Sequence, residues 1–143
     1  MVYKCKFYIV MKFNSQICTT KEQSERLLAL GLKKETADMT LQTTLDVRYT
    51  IPFQEAVEYF ENRHLLPHPT ILPAWSLHRL IEMCPLIPSP PRFLAVTSFK
   101  TVYVRMNDEM DVCYASKGTY NNLINCIEWL IKEGYFNKEY LEE

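Results

Sequence analysis

Glycine is scarce in this 143-residue chain, which has three glycines: Gly31, Gly118 and Gly134. Phosphate-binding loops and dinucleotide fingerprints need several glycines close together. The three glycines of this chain are too far apart to form either motif. Each glycine instead stands beside a predicted helix end or turn. The sequence also lacks a G-x-S-x-G nucleophile elbow and an H-E-x-x-H motif. We therefore assign no catalytic residue.

Neither sign of charge predominates, because 16 basic residues face 17 acidic ones and the formal net charge is -1. Such a chain lacks the general positive field that nonspecific nucleic-acid binding uses. The residues available for a local basic, aromatic patch are Arg92, Lys100, Tyr103 and Arg105. Glu109 and Asp111 on the next predicted strand offset that patch. A small nucleic-acid-binding protein is accordingly an alternative function, not the leading one.

Paired cysteine motifs are also missing. The five cysteines are Cys5, Cys18, Cys84, Cys113 and Cys126. Their odd number and wide spacing argue against a disulfide scaffold and a zinc ribbon. We expect reduced, mostly buried thiols in a cytoplasmic protein. The apolar run from Phe7 to Met11 is too short for a signal peptide or a membrane span, so no membrane partner is expected.

Length and composition predict one domain over residues 1–143, since 48% of the residues are hydrophobic. Apolar residues alternate with lysines from Tyr3 to Phe13, which predicts a strand. The pattern at Leu41–Ile51 predicts a strand or a hairpin, and further strand signals cover Arg92–Ser98, Thr101–Met106 and Glu109–Ser116. We predict an α+β fold: an antiparallel sheet of about four or five strands, with helices packed on one face.

Four helices are predicted. Thr20 and Gln23 form a capping box before the first helix, which Gly31 ends. The others are expected at Gln54–Asn62, at Pro73–Cys84, and from a Thr119 cap to Gly134. A stiff, proline-rich strap, Pro85–Pro91, follows the third helix.

Both tryptophans fall off the apolar stripes of their predicted helices. Trp75 shares a side with charged residues, and Trp129 lies opposite the stripe of the last helix. We expect the strap and neighbouring loop to bury most of Trp75. Trp129 is expected to contribute to a protein-binding or self-association surface. The predicted partner-binding residues are Trp75, Trp129, Tyr135 and Phe136.

The three histidines lie within fifteen residues of each other, at His64, His68 and His78. Pro67 and Pro69 break the helical spacing that would align the first two, so we expect no metal and no cofactor. Cys84 with a histidine base is conceivable as a nucleophile, but an apolar helix face normally leaves a thiol inert. An enzyme using the histidine region is the second alternative function.

Several strings resemble a known group of proteins. They are E-Q-S-x-x-L-L-x-L-G at Glu22–Gly31, T-A-D-M at Thr36–Met39, P-A-W-S-L at Pro73–Leu77, and the segment Asn122–Leu130. Together they resemble short uncharacterised proteins from prophages and mobile elements of gut Bacteroidetes, over roughly residues 11–135. The resemblance implies a phage or mobile-element origin and no particular activity. The resemblance implies that residues 1–10 extend before the usual start of that group, with Met11 as a candidate alternative initiator.

The leading expectation is therefore a non-enzymatic accessory protein. It would act through protein–protein interaction, with itself or with another chain.

Overall fold

A computed structural model describes residues 15–63, 70–107, 109–115 and 118–143. Its helices are α1 (Lys21–Ala29), α2 (Phe53–Asn62), α3 (Leu77–Glu82) and α4 (Thr119–Lys132). Its strands are β1 (Met39–Gln42), β2 (Val47–Tyr49), β3 (Ile71–Ala74), β4 (Ile87–Pro88), β5 (Pro91–Val96), β6 (Thr101–Arg105) and β7 (Met110–Tyr114). The α+β class is confirmed. The strand predicted between Tyr3 and Phe13 lies outside the described residues.

The strands form two antiparallel sheets, where the sequence analysis expected one. The smaller sheet has the order β2-β1-β3, and the larger is a meander with the order β4-β5-β6-β7. Helix α3 and the first residues of the proline-rich strap, Pro85 and Leu86, separate β3 from β4 along the chain. The predicted three-strand meander is confirmed, and β4 adds one further strand from within the strap.

Helix α1 forms as predicted from its end signals. The Thr20 hydroxyl accepts a hydrogen bond from the Gln23 backbone N–H, and the Gln23 side chain accepts one from the Thr20 N–H. Gly31 follows the helix with a φ of +95°, a left-handed conformation that costs glycine no side-chain clash. Local capping chemistry was thus sufficient to predict both ends of this helix.

The prediction for the third helix is wrong at its start. Pro73 and Ala74 belong to strand β3, where Pro73 pairs with Thr40 and Ala74 with Met39. Helix α3 starts only at Leu77, after Ser76, whose hydroxyl accepts a hydrogen bond from the Arg79 N–H. Proline is tolerated at a helix start and also on a strand at the edge of a sheet, and β3 is such a strand.

Helix α4 supplies much of the main core. Its apolar stripe is buried as predicted, through Tyr120, Leu123, Ile124, Cys126, Ile127 and Leu130. This stripe packs on the inner face of the meander sheet, where Leu94, Tyr103 and Val112 lie side by side across three strands. The predicted Thr119 cap is wrong, because the residue before the helix is Gly118, with a φ of +110°.

Among the described residues, no helix has both the length and the apolar composition needed to cross a membrane.

Candidate interaction surface

Trp129 does not stand free on the outer side of α4. Its indole is half-buried between two tyrosines, with ring centroids 5.6 Å from Tyr103 and 5.7 Å from Tyr135. Tyr103 comes from the centre of the meander sheet and is fully buried. The expectation that Trp129 projects away from the core is therefore wrong, because the sheet extends far enough to cover part of the ring.

Tyr135 is the most exposed member of this aromatic group, at 36%. The Arg92 guanidinium lies over its ring, with 5.3 Å between the guanidinium carbon and the ring centroid. A cation over an aromatic face is an attractive arrangement. Tyr135 thus covers the cluster while keeping one side in solvent, so it stays a candidate contact residue.

Arg92 belongs to an ion-pair cluster formed by an irregularity in the sheet. Tyr103 pairs with Val112 and Val104 pairs with Met110, so Asp111 is an extra residue in β7. Its carboxylate lies 2.5 Å from Arg92 Nε, though the two atoms are not aligned as a hydrogen bond. The same carboxylate accepts a hydrogen bond from Arg105 Nε at 2.8 Å. Arg92 and Arg105 therefore both contact the carboxylate of Asp111.

The other two predicted partner-binding residues lie inside the protein. Trp75 is fully buried, as expected, and donates its indole N–H to Thr36 Oγ1 at 2.9 Å. Phe136 is also buried, and its ring contacts Tyr140. Because neither side chain reaches the surface, both act as core residues in this structure.

A surface that the sequence analysis did not identify lies on the other side of the meander sheet. Phe93 is directly opposite Val104, and Val104 is opposite Met110, so the three side chains form a row on one face. Ala95, Val102 and Cys113 form a second row. Pro88 and Pro91 extend the face onto β4. We call these eight residues the outer face.

The outer face is apolar and partly exposed, although Val102 at its centre is only 3% exposed. None of its eight residues is charged, and Phe93 and Met110 are exposed at 43% and 57%. Leu86 and Met106, which adjoin the ends of β4 and β6, are exposed at 69% and 78%. Isolated apolar residues are common on protein surfaces, but a contiguous apolar patch marks an interaction site.

A sequence signal for this face did exist. The runs Phe93–Val96 and Val102–Val104 are apolar at every position, whereas a strand with one solvated face alternates with polar residues. Continuous apolar runs are typical of strands covered on both sides. In this chain α4 covers the inner face, so the pattern indicates that the outer face is covered as well.

The sites considered for catalysis do not come together in the described residues. His64 and His68 lie outside them. His78 is exposed and its Nε2 lies 3.0 Å from Glu82, whereas Cys84 is partly buried and desolvation raises the pKa of its thiol well above the usual value. Within the described part of the chain, no three His, Cys, Asp or Glu side chains are grouped to hold a metal ion.

The candidate basic patch also differs from its prediction. Tyr103 and Arg92 are buried on the inner face, and Lys100 lies in the turn before β6 with its Nζ over the Phe99 ring. These groups do not share a solvent-facing surface on which a nucleic acid would bind.

The cysteines are less uniformly buried than expected. Cys18 and Cys126 are buried and Cys84 is half-buried, whereas Cys113 is exposed on the outer face. Burial raises the pKa of the Cys126 thiol to about 12. The fifth cysteine, Cys5, lies outside the described residues.

Comparison with protein-family models, curated proteins and solved structures found no match. The arguments about function therefore come from the geometry of this chain.

Proposed function

We propose that this chain is a non-enzymatic, cytoplasmic accessory protein of a phage or mobile element that binds a protein partner through the outer face. The resemblance to prophage and mobile-element proteins supports the proposed origin. The observation that supports binding is the uncharged, exposed row formed by Phe93, Val104 and Met110. Covering such a row removes apolar surface from water, which is the main favourable term in protein association.

A protein partner fits this chemistry better than the alternatives considered. Nucleic-acid binding needs cations aimed at phosphates, but Arg92 and Arg105 both contact Asp111. Nucleophilic catalysis needs an activated group, and desolvation keeps the Cys84 thiol protonated. Protein binding through an apolar sheet face requires neither free cations nor an activated nucleophile.

Site-specific photo-crosslinking tests this proposal. A photoreactive amino acid replaces Met110 on the outer face, and in a second variant it replaces Leu45. Leu45 is the matched control, because it is an apolar residue exposed at 70% in the turn between β1 and β2. We expect protein adducts in cells from position 110 and not from position 45. Equal labelling at both positions, or none at position 110, would contradict the proposal.

A further inference from the structure

We propose that the partner of the outer face is a second copy of this chain, with the two meander sheets packed face to face about a two-fold axis. This inference rests on the proposed function and specifies its partner. Two sheets packed in this way form a sandwich with about 10 Å between them.

The chemistry of the face favours a copy of itself. A two-fold interface places the same surface patch on both sides, so a charge at its centre would meet a like charge. The outer face has no charged residue, and its central rows offer only apolar side chains. Such a patch is complementary to itself, whereas a partner of another kind is usually selected by charges or hydrogen bonds that this face does not present.

The area is sufficient for a weak dimer. Leu86, Phe93, Met106 and Met110 are exposed at 69%, 43%, 78% and 57%. With roughly 200 Å² for a fully exposed large side chain, these four residues offer about 500 Å² per copy. Two copies would bury about 1,000 Å², which is at the lower limit for a specific interface.

Sedimentation equilibrium of the full chain from about 1 to about 200 µM tests the inference directly. We expect a reversible monomer–dimer equilibrium that Met110→Glu weakens by at least about 30-fold, the size of an interface hot spot. Leu45→Glu, the control, should leave the equilibrium unchanged. A chain that stays monomeric throughout, or a dimer unaffected by Met110→Glu, overturns the inference. Circular dichroism and a thermal melt verify that each variant is folded.

Cys113 provides a second measurement that needs no substitution. It is exposed and lies on the outer face, in the row with Ala95 and Val102. In the wild-type chain its rate of maleimide labelling, assigned by peptide mass spectrometry, should fall as protein concentration rises. In the Met110→Glu variant the rate should not change with concentration. A wild-type rate that is independent of concentration contradicts the inference.

The crosslinking experiment separates the inference from the proposed function. An adduct from position 110 with the mass of two copies supports both. An adduct with a different protein, from a chain that is monomeric in solution, overturns self-association but leaves protein binding intact. A crosslink to residues 1–14 of the same chain would assign the outer face to the protein's own N-terminal segment and overturn both.

Discussion

The indole N–H of Trp75 donates a hydrogen bond to the hydroxyl of Thr36, which lies 39 residues earlier in the sequence. Both residues belong to strings on which the proposed resemblance rests, T-A-D-M and P-A-W-S-L. The string at Glu22–Gly31 is linked to them through Thr19. The Thr19 hydroxyl hydrogen-bonds to the Ser24 hydroxyl and accepts a hydrogen bond from the backbone N–H of Trp75. The most recognisable strings in the sequence therefore meet in a buried hydrogen-bond network. Their physical role in this structure is to hold α1, β1 and β3 together.

The first prediction concerns this network. Trp75→Ala should lower the free energy of unfolding by about 3–5 kcal/mol, because it leaves a cavity in the core. Thr36→Val keeps the shape but removes the acceptor, so the buried indole N–H loses its partner at a cost of about 1–3 kcal/mol. Thr50→Val is the exposed control and should change stability by no more than about 0.5 kcal/mol. Urea denaturation measures all three.

A second prediction concerns the start of α3. Asp38 accepts hydrogen bonds from both the backbone N–H and the hydroxyl of Ser76, at 2.9 and 2.5 Å. Ser76→Ala should cost about 1 kcal/mol through the lost cap. Because the two side chains interact directly, a double-mutant cycle with Asp38→Ala should give a coupling energy of about 0.5–3 kcal/mol. Strictly additive effects would mean that the contact contributes nothing.

The elements that the sequence predicted well are those with local signals. Helix α1 has a capping box, α4 has a wide apolar stripe, and the meander has short turns between apolar strands. Each signal acts over a few residues, and the tertiary structure agrees with it. For α4 the same stripe that predicts the helix also packs on the meander sheet.

The elements that were missed depend on contacts between distant segments. Strand β3 exists because it pairs with β1, about thirty residues earlier, and nothing within Ile71–Ala74 excludes a helix that starts at Pro73. The assignment of Trp75 to one side of a helix was wrong for the same reason. Trp75 follows β3 and precedes α3, so it is not part of a helix. Burial of Trp129 likewise depends on Tyr103 from another element.

The candidate site was missed for a related reason. Apolar residues on both sides of β5 and β6 were visible in the sequence. Which side remained open, however, was decided by where α4 packs.

A third prediction follows from the position of Trp129. The sequence analysis expected Trp129 to contribute to a protein-binding or self-association surface. Because the half-buried ring contacts Tyr103 and Tyr135, we now expect Trp129→Ala to lower the free energy of unfolding by roughly 1.5–3 kcal/mol, less than for a fully buried aromatic residue. Dimerisation through the outer face should be unaffected. Thermal melts and sedimentation of the same variant separate the two outcomes.

A fourth prediction concerns pH. The side chain of Arg26 hydrogen-bonds to Glu128, and together with Lys132 it holds the pKa of that carboxyl below its usual value. A lowered folded-state pKa stabilises the protein above the unfolded value of 4.5, and this contribution is lost as pH falls through the folded pKa. Wild type should exceed Glu128→Gln in stability by about 0.5–1 kcal/mol at neutral pH, as partly exposed pairs do.

Urea denaturation at several pH values from neutral to about 3 measures that difference. The gap between wild type and Glu128→Gln should close as the solution becomes more acidic than the unfolded-state pKa. A gap that stays constant over the whole range would show that Glu128 acts by packing and not by its charge.

The last prediction uses Cys126 as a reporter of global unfolding. Its thiol lies on the buried face of α4, and burial raises its pKa to about 12, so between pH 7 and 9 it is both protonated and inaccessible. Alkylation of Cys126 by iodoacetamide should therefore require unfolding. Exposed Cys113, labelled in dilute protein, should react without it.

The Trp75→Ala variant allows the change in the rate of Cys126 alkylation to be predicted. If opening and closing are fast relative to alkylation, the rate at Cys126 follows the population of the open state, and each 1.4 kcal/mol of lost stability raises it tenfold. A loss of about 3 kcal/mol should accelerate Cys126 alkylation by more than about 100-fold, while the rate at Cys113 stays within a few-fold. Peptide mass spectrometry after timed quenching measures both rates in one sample. Rapid modification of Cys126 in the wild-type chain would mean that α4 opens locally, and the buried core assigned to that helix would then be wrong.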